Sequence, residues 1–175
     1  MKTRNLLTIA LVLVATTSAI HAQQTVADAQ QYLQKFVGNW VAKNASVEMD
    51  GNKSSVEYHA DFKAAAGGTG LTMHEWFSAE GLGNYIGENI VGYDPNTATI
   101  HWYSTDNTGT CHDHYGFWSN PNHLFVQYNG VVDKKMYVEQ LDMEFVSPTR
   151  MHVKVTGMTN GTTNLRIEGT FEKVQ

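Results

Sequence analysis

The chain has 175 residues, of which 42% are hydrophobic and 17% charged, and its formal net charge is −5 at pH 7. Such a length corresponds to one domain with a substantial core, and the negative charge makes nucleic acid and anionic membrane surfaces poor partners. The single cysteine, Cys111, excludes an internal disulfide and is predicted to be a small core residue on a strand.

The first part of the chain, residues 1–22, is predicted to be a secretory signal peptide. Lys2 and Arg4 precede the apolar run 6–15, which is followed by small residues. The run is shorter than the roughly 20 residues that span a bilayer. Cleavage would remove two of the 12 cations and none of the 17 anions, which takes the net charge from −5 to −7. We therefore expect a bacterial periplasmic or secreted protein, with one domain over 23–175 and no membrane contact after cleavage.

One helix is predicted over residues 28–37, ahead of the strands. Four apolar residues recur at the spacing of one helix face: Ala29, Tyr32, Leu33 and Phe36. Asp28 lies near the start of the helix, and Gly38 ends it. Because an apolar helix face has to be buried, we expect this helix to cover one end of the strand assembly.

From Trp40 onward, short runs of alternating apolar and polar residues predict about ten strands. Turns rich in Asp, Asn, Gly and Pro separate these runs, at residues 50–52, 64–70, 80–84, 94–96, 106–109, 119–122, 129–135, 147–149 and 160–161. Connections this short pair neighbouring strands antiparallel, and a meander of about ten strands avoids raw edges by closing on itself. The sequence therefore predicts an all-β protein, an antiparallel up-and-down barrel.

The segment Phe36-Val-Gly-Asn-Trp40 resembles the Gly-x-Trp signature of lipocalins and their relatives. Three further segments are similar to a family of exported bacterial proteins of unassigned function with a lipocalin-like barrel, at residues 90–95, 101–104 and 115–118. The resemblance covers nearly all of the chain beyond the leader. It implies that Gly38 leads into a Trp40 that packs across the closed end of the barrel, beneath Arg166 of the last strand.

No cofactor is predicted. The haem-binding nitrobindins carry a Gly-rich stretch and a Tyr-Pro-Thr-Ile sequence after the Trp of this signature. Here residues 41–46 read Val-Ala-Lys-Asn-Ala-Ser. The resemblance to lipocalin-like barrels therefore implies a fold without implying haem.

Aromatic residues make up 11% of the chain, and in a barrel wall they line a small apolar cavity or fill it. We favour a small hydrophobic or aromatic ligand that enters opposite Trp40. Indoles would supply contact area and imidazoles would orient the ligand. The predicted ligand-binding residues are Trp76, Trp102, His112, His114 and Trp118. An interaction module with a filled core is an alternative.

His112 and His114 also raise the alternative of a metal site in a small-barrel enzyme. Separated by one residue on a strand, they lie on the same face about 6.6 Å apart, close enough for both imidazoles to reach one zinc ion. The third ligand depends on the loop that precedes them. A four-residue loop would place His101 opposite His114 and create a set of three histidines: His101, His112 and His114.

A three-residue loop would give a different register. With Gly109 in the left-handed conformation, Trp102 faces His114 and Ser104 faces His112, which leaves two histidines and an indole. Glycine favours this second loop, so no metal site is predicted and a binding protein is favoured over an enzyme. The other enzymatic alternative is acid–base catalysis by buried carboxylates, for which Glu75 and Asp113 are the candidates.

Overall fold

The structure is a computed structural model that describes residues 25–81 and 83–174. The predicted signal peptide, residues 1–22, lies outside the described residues. In the described part the chain forms one α-helix, two short 3-10 helices and ten strands. No helix in these ranges is both long and apolar enough to span a membrane.

The predicted N-terminal helix is present as α1 (Val26–Leu33), followed by a 3-10 helix, Gln34–Phe36. It begins earlier than predicted because Thr25 caps it: the Thr25 hydroxyl accepts from the backbone N–H of Asp28 at 3.1 Å, and the Asp28 carboxylate accepts from the backbone N–H of Thr25 at 3.3 Å. The predicted apolar face is confirmed, since Leu33 and Phe36 are completely buried.

The ten strands are β1 (Gly38–Met49), β2 (Asn52–Ala65), β3 (Gly70–Ala79), β4 (Gly83–Asp94), β5 (Thr99–Asp106), β6 (Cys111–Asn120), β7 (His123–Val132), β8 (Lys135–Ser147), β9 (Arg150–Thr159) and β10 (Thr162–Val174). Each strand pairs antiparallel with the next one in the chain, and β1 pairs with β10. The predicted up-and-down barrel is thereby confirmed, and closure leaves no unpaired edge among the ten described strands.

The two ends of the barrel differ. At the closed end, the helical segment packs against the strands: the Phe36 ring lies 5.1 Å from that of Phe62 and 4.8 Å from that of Phe145, between centroids. Trp40 is buried beside it, and its indole N–H donates to the Phe36 carbonyl at 2.6 Å. The opposite end, at the β1–β2 turn around Asp50, is the open end.

The cation above Trp40 is Lys173, and the expectation for Arg166 was wrong. Lys173 lies opposite Trp40 in the β1–β10 register, with its Nζ 4.7 Å from the centroid of the indole ring. Arg166 lies opposite Glu48, with 59% of its side chain exposed. Because a strand rises about 3.3 Å per residue, Arg166 is about 23 Å from Lys173 along β10, toward the open end.

The start of the first strand depends on the backbone of Gly38. Its φ is +131°, a conformation in which other residues are strained, and a Cβ there would lie 3.4 Å from the Lys173 side chain. Gly38 thus lets the chain turn from the helical segment into β1 directly beneath Lys173.

Candidate functional site

The barrel encloses a cavity of about 650 Å³ that extends to the open end. Its inner wall is largely aromatic and methionine-rich, with Tyr58, Phe62, Met73, Phe77, Trp102, Met143, Met151 and Phe171. Charged residues of the turns line the mouth, with Asp50, Asp106, Asp133 and Lys135. The interior is therefore hollow, and its volume falls within the range of small-molecule sites.

A polar network on one wall surrounds the carboxyl group of Glu75. The group accepts hydrogen bonds from Tyr58 Oη at 2.6 Å, Tyr85 Oη at 3.2 Å and Asn89 Nδ2 at 3.1 Å. Asn89 Oδ1 in turn accepts from the indole N–H of Trp102 at 2.9 Å. Burial raises the pKa of Glu75, although these hydrogen bonds oppose the shift.

A second polar cluster joins β6 to β8. His114 Nε2 lies 3.0 Å from Glu139 Oε1, and His112 Nδ1 lies 3.8 Å from the same oxygen. The hydroxyl of Tyr137 donates to Glu139 Oε2. Burial alone would raise the pKa of Glu139, but the imidazoles and the hydroxyl outweigh it, and the pKa lies well below its usual range. The cluster therefore holds a partly buried carboxylate.

Local packing fixes the ring of each histidine. His114 is 1% exposed, and its Nδ1 lies 3.2 Å from the backbone oxygen of Trp102. His112 is 7% exposed and stacks on Tyr128, with centroids 4.0 Å apart and ring planes 13° apart. Both imidazoles line the cavity.

The three-residue loop and the register derived from it are confirmed. Gly109 has φ of +86°, and Asp106 N donates to Thr110 O at 3.1 Å. Across β5 and β6, Trp102 pairs with His114, and Ser104 pairs with His112.

The alternative of three histidines is wrong, because this register places His101 on the outer face. There its Nδ1 lies 3.3 Å from the carboxylate of Asp113. Asp113 is exposed and therefore is not a buried acid, whereas Glu75 does line the cavity.

The five predicted ligand-binding residues separate into three positions. Trp102, His112 and His114 line the cavity. Trp76 is 38% exposed and stacks on His59 outside the barrel, because its neighbour Glu75 faces inward and alternation turns Trp76 outward.

Trp118 faces inward but lies at the closed end, outside the cavity lining. Its ring is 5.4 Å from that of Tyr32 and 6.0 Å from that of Phe36, so it helps to seat the helical segment. The prediction for Cys111 was also wrong: it is exposed, because His112 faces inward on the same strand.

Sequence reasoning missed Glu139 entirely. Glu139, Leu141 and Met143 stand at every second position of β8, and all three line the cavity. A carboxylate within an alternating apolar face was therefore the available signal. That pattern did not indicate that Glu139 contacts His112 and His114, because these histidines lie on β6 and β7 separates β6 from β8.

A hollow, closed antiparallel barrel with a helix across one end defines a lipocalin-like barrel protein. No family model matches the chain, and no curated protein matches it. Among solved structures, it is similar to the S-type phycobiliprotein lyase CPES from Guillardia theta, with a TM-score of 0.60 and 11% sequence identity. The match covers 85% of this chain and 96% of the lyase, and at this identity it shows a shared fold.

Proposed function

We propose that this protein is an exported binding protein that holds a small hydrophobic or aromatic molecule in its barrel. The observation that carries the proposal is the cavity of about 650 Å³ behind an open mouth, walled by aromatic rings and methionines. Burial of a ligand's apolar surface against such a wall stabilises the complex. Export is inferred from the leader sequence, residues 1–22, as is a bacterial periplasmic or secreted location.

The carboxyl groups that line the cavity and its mouth indicate which ligand charge the site favours. Glu75 on β3 and Glu139 on β8 stand on opposite sides of the barrel, since five strand steps separate β3 from β8 in either direction. Three aspartates and one lysine, Asp50, Asp106, Asp133 and Lys135, line the mouth. Such a site disfavours an anion, so we propose a neutral or cationic ligand with an aromatic body.

Binding of Nile red, a neutral dye whose emission depends on solvent polarity, tests the proposal on metal-free protein. We expect saturable binding near one dye per chain. Ser104→Phe adds a ring on the cavity wall and should weaken the affinity at least tenfold. Thr105→Phe is the matched control, because the adjacent side chain on β5 faces outward and is absent from the cavity lining.

An anionic naphthalene sulfonate dye serves as the comparison for charge and should bind at least tenfold more weakly than Nile red. The melting temperature of each variant shows whether it is folded. If the folded wild type does not bind Nile red, or if a folded Ser104→Phe variant binds it as well as the wild type does, the proposal is wrong. Stronger binding of the anionic dye would overturn the ligand class.

A further inference from the structure

We propose that His112, His114 and Glu139 form a binding site for a divalent transition metal, with zinc as the best fit, on the wall of the cavity. One potential ligand atom from each of the three residues lies within 4.8 Å of the other two. Two imidazoles and one carboxylate are a ligand set that zinc accepts in proteins. The site goes beyond the proposed binding of an apolar molecule and does not depend on it.

The distances within the site match a tetrahedral ion. Zinc–nitrogen and zinc–oxygen bonds of about 2.0–2.1 Å place tetrahedral ligand atoms roughly 3.3–3.5 Å apart. Glu139 Oε1 lies 3.0 Å from His114 Nε2 and 3.8 Å from His112 Nδ1, on either side of that separation. The three ligand atoms all lie within 4.8 Å of one another, so shifts of the side chains would bring them around one ion.

The hydrogen bond at Nδ1 of His114 orients the ring so that its Nε2 faces Glu139. The backbone oxygen of Trp102 only accepts hydrogen bonds, so Nδ1 of His114 donates to it. A neutral ring then presents the Nε2 lone pair to Glu139 Oε1, which is also an acceptor. A metal ion between these two atoms would accept a lone pair from each. Donation from Nδ1 to a backbone carbonyl also orients metal-bound histidines.

His112 directs its Nδ1 toward the same carboxylate oxygen of Glu139. Its Nε2 has no hydrogen-bond partner among the described residues, and its Nδ1 is 3.8 Å from Glu139 Oε1, beyond hydrogen-bonding distance. Stacking on Tyr128 holds the ring, but a buried polar side chain ordinarily has a polar partner. A metal ion bound to both Nδ1 and Glu139 Oε1 would join these two atoms, whose separation is too long for a direct hydrogen bond.

The surroundings complete a site with an open position. The hydroxyl of Tyr137 donates to Glu139 Oε2, which orients the carboxylate and leaves Oε1 available to the metal. Three protein ligands leave a fourth tetrahedral position. Because all three residues line the cavity, that position is accessible to water or to a donor atom of a bound molecule.

Isothermal titration of chelator-treated full-length mature protein with zinc chloride tests the site. We expect one zinc ion per chain with a micromolar or lower dissociation constant, and a rise in melting temperature, because binding to the folded state alone stabilises it. Magnesium and calcium at the same concentration should cause no rise, since these ions prefer all-oxygen ligand sets. Cobalt(II) should give the visible absorption of a tetrahedral site.

Two substitutions locate the site. Glu139→Gln and His112→Gln should each weaken zinc binding at least 100-fold and abolish the cobalt spectrum. His101→Gln is the matched control, because His101 also lies near a carboxylate, that of Asp113, but on the outer face. It should bind zinc like the wild type.

If Glu139→Gln does not fold, His112→Gln decides, because Nε2 of His112 has no hydrogen-bond partner among the described residues and its Nδ1 lies 3.8 Å from Glu139 Oε1. Absence of stoichiometric zinc binding would overturn the proposal. So would wild-type affinity in folded His112→Gln, or loss of binding in folded His101→Gln. Nile red binding to zinc-free protein is measured separately, so failure of the metal site is distinguishable from failure of the proposed binding function.

Discussion

Lys173 on β10 lies above Trp40 of β1 and also contacts the backbone of the segment that follows α1. Its Nζ is 4.7 Å from the indole centroid and donates to the backbone oxygens of Lys35 at 3.1 Å and Val37 at 2.9 Å. The last strand thereby contacts both the residues that follow α1 and the start of β1. One side chain satisfies two carbonyl groups at the point where the helical segment ends.

We expect Trp40 and Lys173 to be energetically coupled. Trp40→Ala removes a side chain that is 1% exposed and should lower the free energy of unfolding by about 3–5 kcal/mol. Lys173→Ala should cost about 1–3 kcal/mol, because a cation–π contact and two hydrogen bonds are lost. A double-mutant cycle in urea should show a coupling of at least about 0.5 kcal/mol.

Arg166→Ala is the control for this cycle. Arg166 is exposed and its nearest carboxylate is that of Glu48, at 4.0 Å. Its effect should add to that of Trp40→Ala within about 0.5 kcal/mol. Additivity of Trp40→Ala with Lys173→Ala, or coupling with Arg166→Ala, would contradict the observed closed end.

Gly116 is predicted to tolerate no side chain. A Cβ at this position would clash with the backbone oxygen of Phe125 and lie 2.7 Å from Val126 Cα, both on the neighbouring strand. Gly116→Ala should therefore lower the free energy of unfolding by about 1–3 kcal/mol or more. Gly92→Ala on β4 is the matched control, because nothing lies within 4 Å of a Cβ there. Chemical denaturation measures both, and equal effects would contradict the packing at Gly116.

Glu75 should make stability fall as the pH rises. Because burial raises the pKa of Glu75, the folded state holds its proton at pH values where the unfolded state has lost it. This stability is fully present below the unfolded pKa of about 4.3 and is lost as the pH rises through the raised folded pKa. The difference in unfolding free energy between wild type and Glu75→Gln should therefore shrink or change sign as the pH rises above about 4.

Urea unfolding at several pH values measures this difference, with Glu80→Gln as the control. Glu80 is an exposed residue in the turn after β3, and its substitution should leave the pH profile unchanged within error. A Glu75→Gln profile parallel to that of the wild type over the whole range would refute the raised pKa.

The mature protein is predicted to begin near Gln23. A charged start, a short apolar run and small residues together direct export and cleavage. N-terminal sequencing of protein from the periplasm or culture medium of a bacterial host measures the start. Ala22→Tyr should retain the leader, because a bulky residue at the predicted site blocks cleavage. Soluble wild-type protein that accumulates in the cytoplasm with Met1 intact would contradict the prediction.

The sequence by itself determined the barrel, because the signals that specify it are local. Alternation within each run and turn residues between runs define ten antiparallel strands. Apolar residues three and four positions apart define the buried face of α1. Local chemistry even set one register: Gly109 adopts the left-handed conformation, which places Trp102 opposite His114. The cross-strand pairing of Trp102 with His114 could therefore be derived without the tertiary structure.

Only the tertiary structure decided which side chains meet inside the barrel. Alternation separates the two faces of a strand but does not say which face is interior, so the outward position of Trp76 followed from the hydrogen bonds that hold Glu75 inside. Closure brought Glu139 to His114 across an intervening strand and placed Lys173 over Trp40. These contacts depend on the stagger and curvature of the whole barrel, which no short segment of sequence specifies.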